Sequence, residues 1–355
     1  MPTCNREWVN HAISKIESDF QRSADTHLIK MSLPSLPDVD VYLKDESTHP
    51  TGSLKHRLAR SLFLFALCNG WVGPKTTIIE SSSGSTAVSE AYFARLLGLP
   101  FIAVVPKTTA AKKIEQIEFY GGQAHLVERT DQIYSESRRL AKELNGHYMD
   151  QFTYAERATD WRGNNNIANS IFEQMKYERY PLPSWVVISA GTGGTSATIG
   201  RFIRYQKFST KLHVVDPENS VFHDYFKSGD ISLTGDRGSR IEGIGRPRVE
   251  PSFIAGVVDT MSTVPDTASL ATMKWLEKIL GRKVGPSTGT NMYGVLQLAS
   301  ELQQQGGGSI VTLLCDSGER YLDTYQNAKW VAENIGDTHE YDAQLARFND
   351  SGKMT

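Results

Sequence analysis

The amino-acid sequence predicts an α/β protein whose two domains each contain a largely parallel sheet covered by helices. Short runs of β-branched and aliphatic residues alternate with longer segments of helical periodicity, an order typical of strands joined by crossover helices. Several of these runs end in Gly, Ser or Thr where a helical pattern begins. The length of 355 residues fits two packed domains better than one or three.

Seven apolar runs have the composition and length of buried strands. Because most of them lack a polar alternation, we expect both faces of the sheets to be covered. The predicted strands are Val39–Lys44, Thr77–Glu80, Phe101–Pro106, Gln123–Glu128, Trp185–Ala190, Leu212–Asp216 and Ser309–Cys315.

Helical periodicity falls between most of these strands. The first twenty residues read as an amphipathic helix with acidic residues, and an apolar helix is expected to begin near Lys55. The other predicted helices are Thr86–Leu97, Lys112–Tyr120, Gln132–Leu144, Asn165–Tyr177, Ser196–Lys207, Thr267–Leu280 and Asn291–Gln304.

Two polar stretches bear on the domain organisation. Phe152–Asn166 has no strand pattern, and we expect the chain to pass between its two domains there. Asp337–Thr355 is polar and is expected to form a C-terminal tail of low order.

The composition excludes several classes of partner. The formal net charge is −2, with 39% hydrophobic and 22% charged residues, which describes a globular protein without the basic excess that nucleic acid or an acidic membrane would require. No apolar run approaches the ~20 residues needed to span a bilayer. We therefore expect no nucleic acid, no membrane and no targeting signal.

The cysteines and histidines suggest no metal site. Cys4, Cys68 and Cys315 are widely spaced and odd in number, which favours a reducing, cytoplasmic location over a disulfide framework. Cys68 and Cys315 lie in apolar patterns and are expected to be core thiols, with Cys4 at the surface. The nine histidines form no metal-binding motif, and His56 is expected to face away from chemistry or to cap locally.

Lys55 is the first candidate for chemistry. It follows a turn, Pro50 to Ser53, and stands where the helix is expected to begin. Lysines usually lie in the last turn of a helix, because the N-terminal end of the helix dipole repels cations. A solvated lysine beside a turn is one explanation, and a lysine that forms a Schiff base with an aldehyde cofactor is another.

Two further stretches lie where a predicted strand gives way to a helix. Ser81 to Thr86 is rich in short hydroxyl side chains and follows the strand that ends at Glu80; it fits either an ordinary serine cap or a site for a carboxylate. Gly191 to Thr195 follows the strand Trp185–Ala190, and its backbone amides could close around a phosphate. The spacing matches neither a dinucleotide fingerprint nor a P-loop, although a plain glycine turn stays possible.

The last of the four stretches, Gly285 to Asn291, carries Ser287 and opens an apolar helix. A capped helix start explains it alone. In this order, however, the four stretches resemble the fold type II pyridoxal phosphate enzymes (tryptophan synthase β-like), within the cysteine synthase, cystathionine β-synthase and cysteine desulfhydrase group. The resemblance covers about residues 43 to 321.

The resemblance implies pyridoxal 5'-phosphate as cofactor and assigns roles to particular residues. Lys55 matches the Schiff-base and catalytic lysine, and Ser287 matches the serine that faces the pyridine nitrogen. Ser85 stands where the family has an asparagine near the cofactor's 3'-oxygen. The matching phosphate loop consists of Gly191, Thr192, Gly193, Gly194 and Thr195.

It also implies a site for a small amino-acid substrate. The family's carboxylate-receiving loop matches residues 81–86, with a Gln-Phe pair matching Gln151 and Phe152 and an active-site loop matching 243–245. The implied substrate-binding residues are Ser82, Ser83, Gly84, Thr86, Gln151 and Gly243.

The same resemblance implies a domain plan. Residues 1–45 would form an N-terminal segment packing on the larger domain, and 46–160 a smaller domain carrying the substrate loop. Residues 161–336 would form the larger, phosphate-binding domain, with 337–355 as the polar tail. A homodimer is expected, because resembling enzymes commonly pair.

The implied activity is β-elimination or β-replacement on an amino acid, since a neutral serine at the pyridine nitrogen disfavours transamination. Ser85, the segment 153–161 and Arg246–Arg248 depart from the synthase pattern, which favours an L-cysteine desulfhydrase releasing hydrogen sulfide, pyruvate and ammonia, with Lys55 as the base. The alternatives are a cysteine synthase acting on O-acetylserine or O-phosphoserine with sulfide, and, from another class, a catalytically idle cofactor-binding partner or sensor.

Overall fold

The computed structural model describes residues 5–22, 25–163 and 166–354. Within these ranges the strands are β1 (Leu28–Met31), β2 (Val39–Asp45), β3 (Ile78–Glu80), β4 (Phe101–Pro106), β5 (Gln123–Val127), β6 (His147–Tyr148), β7 (Trp185–Ser189), β8 (Lys211–Pro217), β9 (Thr260–Val264) and β10 (Gly308–Leu314). All seven predicted strands are confirmed, each within one residue at either end.

The helices of the described residues include every one that the sequence predicts. They are α1 (Arg6–Gln21), α2 (Lys55–Cys68), α3 (Ser85–Leu97), α4 (Ala111–Phe119), α5 (Ile133–Glu143), α6 (Gln151–Ala158), α7 (Ile167–Met175), α8 (Gly194–Gln206), α9 (Phe222–Ser228), α10 (Asp266–Leu280), α11 (Pro286–Gln304), α12 (Ala328–Asn334) and α13 (His339–Ser351). The predicted start of α7, Asn165, lies outside the described residues.

The chain divides into two compact units. The first unit comprises residues 1–25 and 49–159, and the second comprises 26–48 and 160–355. The N-terminal segment is thus split, unlike in the sequence-based plan. The α1 helix belongs to the first unit, where its buried Val9, Ala12 and Ile16 join the core that contains α2 and α3.

The first unit is built on a parallel four-stranded sheet with the order β5-β4-β3-β6. Neighbouring residues of β3 enter different cores: Ile78 packs with α1, α2 and α3, and Ile79 packs with Leu140 of α5. Since successive side chains of a strand point to opposite faces, the sheet is covered on both sides. The segment of residues 81–86, called the serine loop below, and Lys55 therefore stand on a layered support.

The second unit has a six-stranded sheet with the order β1-β2-β10-β7-β8-β9. Only β1 runs antiparallel to its neighbour among the described strands. The α10 and α11 helices pack on this sheet through a large apolar core. Parallel strands end at the same edge of a sheet. The strands β7 and β10 therefore bring the segment of residues 191–195, called the glycine loop below, and the residues after Leu314 to one edge of this sheet.

The boundary between the two units, at residues 159 and 160, falls within Phe152–Asn166, as expected for the passage between domains. That stretch also contains most of α6, whose Phe152 and Ala155 are buried. The expectation of a C-terminal tail of low order was wrong. The C-terminal segment contains α13, in which Leu345 and Phe348 enter the core of the second unit. In both segments a few apolar side chains on one helical face find a hydrophobic partner, which outweighs the polar composition.

The cysteine expectations had mixed outcomes. Cys315 is buried, as expected, whereas Cys68 is exposed because it is the last residue of α2 and lies off the buried face of that helix. Cys4 lies outside the described residues. Within the described parts of the chain, no helix is long and apolar enough to cross a membrane.

Candidate active site

Lys55 is the first residue of α2 and is half-buried. Its backbone amide donates to Oγ of Ser53 at 3.3 Å, and the turn before it uses a left-handed glycine, Gly52, with φ of 67°. Glycine tolerates this conformation without strain. The lysine thus lies at the N-terminal end of the helix, as the sequence predicts.

The turn that carries Lys55 is fixed to α3 by buried hydroxyl groups. Oγ1 of Thr51 lies 2.9 Å from Oγ of Ser89 and 3.1 Å from Nδ1 of His56. His56 is itself buried and packs against the ring of Phe93. This local contact gives His56 a structural role in holding the lysine turn.

The serine loop connects β3 to α3, and the structure places its predicted residues at the start of that helix. Ser82 and Ser83 lie in the connection, Gly84 is the N-cap, and α3 begins at Ser85. Oγ of Ser82 accepts a hydrogen bond from the amide of Gly84 at 3.3 Å. The first amides of a helix have no intrahelical acceptor, so this end can receive an anion.

Gln151 joins this loop from a distant part of the sequence. It is the first residue of α6, and its Oε1 accepts a 2.8 Å hydrogen bond from the hydroxyl of Thr86. Asp150, the N-cap of α6, has φ of 47° and accepts from the amide of Thr153. Two predicted substrate residues, Thr86 and Gln151, are therefore in direct contact.

Glu80, at the end of β3, hydrogen-bonds to both Ser81 and Gln151 and was missed in the sequence analysis. Its carboxylate accepts from the amide and hydroxyl of Ser81 at 2.7 and 3.1 Å and from the amide of Gln151 at 3.1 Å. Burial raises the pKa of Glu80, and these hydrogen bonds oppose that rise. The sequence feature that could have identified Glu80 as a functional residue is its position as a charged residue at the end of an apolar strand.

In the second unit, the glycine loop connects β7 to α8. Gly191 and Thr192 precede the N-cap, Gly193, which has φ of 92°. A Cβ on Gly193 would lie 2.4 Å from Cα of Phe253, so the backbone here requires glycine. Gly194 and Thr195 are the first residues of α8, whose amides and hydroxyls form a donor set suited to a phosphate.

The loop that contains Gly243 lies against the glycine loop. The amide of Gly245 donates to the carbonyl of Ala190 at 2.8 Å. Beyond it, Nε of Arg246 and of Arg248 lie 2.9 and 3.1 Å from Oε1 of the buried Glu250. The arginines that depart from the synthase pattern thus support this loop through an ionic cluster.

Ser287 is buried and is the second residue of α11, which starts at Pro286 rather than at Asn291 as predicted. Proline suits the first helical position, which explains the earlier start. The next residue, Thr288, accepts from the amide of Cys315 at 3.1 Å. Among the described residues the Ser287 hydroxyl makes no hydrogen bond, so it is available to a ring nitrogen.

Among the described residues no group of three or more His, Cys, Asp or Glu side chains is arranged to hold a metal ion.

Comparisons with known proteins relate this chain to one enzyme family. Residues 21–316 match the family described as pyridoxal-phosphate dependent enzyme. The L-cysteine desulfhydrase Cds1 of Mycobacterium tuberculosis is 58% identical over 99% of this chain and 97% of its own. A putative cysteine synthase of Sinorhizobium fredii is 29% identical over 88% of this chain and 91% of its own. The crystal structure of O-ureido-L-serine synthase superposes with a TM-score of 0.75 at 25% identity, covering 94% of this chain and 98% of that one.

Proposed function

This chain belongs to the family of pyridoxal-phosphate dependent enzymes, and from that membership we propose that it is an L-cysteine desulfhydrase. The reaction is a β-elimination in which L-cysteine and water give hydrogen sulfide, pyruvate and ammonia. The observation that carries this proposal is the 58% identity to a desulfhydrase over 99% of the chain, against 29% to the putative cysteine synthase.

The described donors fit the cofactor group by group. Amides and hydroxyls at the start of α8, from Thr192 to Thr195, suit the phosphate. The buried Ser287 hydroxyl suits the ring nitrogen without imposing a charge on it, and Lys55 supplies the amine that links to an aldehyde. When bound, pyridoxal phosphate withdraws electrons from the substrate Cα and so makes its proton acidic.

The substrate carboxylate is received at the start of α3. Ser82, Ser83 and Gly84 offer backbone and hydroxyl donors, and the Gln151 amide is oriented by its hydrogen bond to Thr86. The dipole of α3 favours an anion at this end. Holding the carboxylate fixes the orientation of the Cα–H bond that must break.

Lys55 acts as the base that takes the Cα proton. Loss of that proton lets the Cβ–S bond break, and the sulfur leaves as sulfide. The three-carbon product then reacts with water to give pyruvate and ammonia. Ser85, which is half-buried at the first position of α3, takes the place of the family's asparagine and would present a shorter group to the cofactor.

The test is the product balance with L-cysteine as the sole substrate. We expect sulfide, pyruvate and ammonia in equal amounts, and no turnover by Lys55→Ala although its circular dichroism and elution volume match the wild type. Borohydride should fix the cofactor to the peptide that contains Lys55. A purified protein that stays colourless in excess pyridoxal phosphate would contradict the proposal, whereas a coloured protein that releases no sulfide would favour the idle cofactor-binding partner or sensor.

We further propose a homodimer located in the cytoplasm. Isologous dimers are the commonest protein assembly, and the scarcity of cysteine, three in 355 residues, suits a reducing compartment. Sedimentation at micromolar concentration should give about twice the 39.5 kDa mass of one chain, whereas a species of one chain's mass alone would contradict the dimer.

A further inference from the structure

Two fully buried carboxyl groups face each other next to the serine loop. Glu80 ends β3 and Glu90 lies on α3, one helical turn after Thr86, and both are 0% exposed. Neither oxygen of Glu90 receives a hydrogen bond from a described donor, and the group within hydrogen-bonding reach is the carboxyl of Glu80.

Two buried carboxylates in contact cannot both be ionised, because neither is solvated and each repels the other. Glu80 already accepts three hydrogen bonds, from the amide and hydroxyl of Ser81 and the amide of Gln151. Those donors stabilise its negative charge. Glu90 has no such donors, so the shared proton belongs on Glu90.

The surrounding groups act on both carboxyls. Burial and the facing Glu80 raise the pKa of Glu90, and no other described charged group acts on it. Asp150, at the start of α6, opposes the assignment by raising the pKa of Glu80, but the amide hydrogen bonds from Gln151 and Ser81 each lower that pKa by more. Tyr148 on β6 stays neutral, because burial and Glu80 raise the pKa of its hydroxyl.

We propose that Glu90 is a positioning residue for the substrate carboxylate: protonated, it donates a hydrogen bond to Glu80 and thereby fixes the serine loop and Gln151. Glu80 joins Ser81 to the amide of Gln151, and Thr86 joins the side chain of Gln151 to α3. The hydrogen bond from Glu90 to Glu80 adds the last contact to this network and links it to α3 a second time. The inference rests on the proposed function, in which these residues receive the substrate.

Two variants at position 90 separate positioning from packing. In Glu90→Gln the amide always donates to Glu80, so KM for L-cysteine should stay within about twofold of wild type. In Glu90→Leu the volume is kept and the donor is lost, so KM should rise roughly tenfold, the effect of one hydrogen bond, with kcat changed much less. Melting temperature need not fall in Glu90→Leu, since an apolar side chain replaces a buried acid.

Val88→Ala provides the control in the same helix. Val88 is 4% exposed and belongs to the core, so this truncation should lower the melting temperature and leave KM unchanged. An unchanged KM in Glu90→Leu, or an equal rise in Glu90→Gln, would overturn the positioning role. At alkaline pH, the ratio of wild-type KM to Glu90→Gln KM should increase as Glu90 loses its proton, and a constant ratio would also overturn it.

An infrared measurement locates the proton without turnover. The wild-type holoenzyme at neutral pH should show the carbonyl stretch of a protonated buried carboxyl that Glu90→Gln lacks. An identical spectrum for both proteins would overturn the proposal even if Glu90→Leu failed to fold. Because this measurement uses no cysteine, it tests the protonation of Glu90 independently of the proposed activity. The proposed activity fails separately, if the wild type releases no sulfide from L-cysteine.

Discussion

The hydroxyl of Thr86 donates a hydrogen bond to Oε1 of Gln151 at 2.8 Å, although 65 residues separate them in the sequence. Both side chains are buried. Because the amide oxygen of Gln151 is occupied, its amide nitrogen is the end that can bind a ligand, and that ligand must be an acceptor. A substrate carboxylate meets this requirement.

Thr86→Val should therefore weaken substrate binding. Valine keeps the shape and removes the donor that orients Gln151, so we expect KM for L-cysteine to rise by roughly tenfold, the loss of one buried hydrogen bond, with a smaller change in kcat. Steady-state kinetics of sulfide release measure both constants.

The matched control is Thr312→Val. Thr312 is buried on β10 and donates to the carbonyl of Val187 at 2.7 Å. Both variants should lose about 1 kcal/mol of unfolding free energy, but only Thr86→Val should raise KM. A KM in Thr86→Val equal to that of Thr312→Val would remove the orienting role of Thr86.

Gly193→Ala should weaken cofactor binding. The added Cβ would approach Cα of Phe253 to 2.4 Å at a φ of 92°, so the loop must shift and its amides lose their alignment. Backbone strain of this kind costs on the order of 1–3 kcal/mol, which corresponds to a loss of pyridoxal phosphate affinity of roughly 5- to 150-fold. Absorbance titration of the apoenzyme measures the Kd.

Gly256→Ala is the control for Gly193→Ala. A Cβ at Gly256 meets nothing within 4 Å, so this variant should bind the cofactor as the wild type does. Equal affinities in both variants would show that the loop from Gly191 to Thr195 does not hold the phosphate.

Asp266→Asn should change the pH dependence of stability. Asp266 begins α10 and is 2% exposed, and burial is the main cause that raises its pKa from 3.8 to about 7. Its contribution to stability is therefore complete below about pH 4 and is lost as pH rises through about pH 7. The variant lacks this titration, so its unfolding free energy should fall less over that range.

Denaturant unfolding of both proteins between about pH 4 and about pH 8 provides the measurement. The difference between their unfolding free energies isolates Asp266 from the other titrating groups. A difference that stays constant across this range would show that Asp266 is ionised in the folded protein.

The strands that the sequence did not predict share one position in the fold. β1, β6 and β9 all lie at sheet edges, and β6 has only two residues, His147 and Tyr148. Central strands are buried on both faces and so carry an apolar signal, whereas an edge strand such as β9 is exposed at several positions. Whether these segments form strands depends on pairing with a neighbouring strand, which is a property of the tertiary structure.

The parts of the candidate site that depend on local sequence could be predicted. The parts that depend on contacts between separate elements could not. Lys55 and Gly193 lie in short motifs whose turns follow from glycine and from helix starts. The contact between Thr86 and Gln151, and the pairing of Glu80 with Glu90, join segments far apart in the chain or on different elements. Single-sequence periodicity carries no information about such pairs.

The central claim is tested most directly by comparing two values of kcat/KM on one preparation of enzyme. The first is for sulfide and pyruvate release from L-cysteine, and the second is for cysteine formation from O-acetylserine and sulfide. Because kcat/KM measures discrimination between substrates, we predict the larger value for L-cysteine. A preference of roughly a hundredfold for O-acetylserine, about 2.7 kcal/mol of transition-state stabilisation, would contradict the desulfhydrase proposal and make the protein a cysteine synthase.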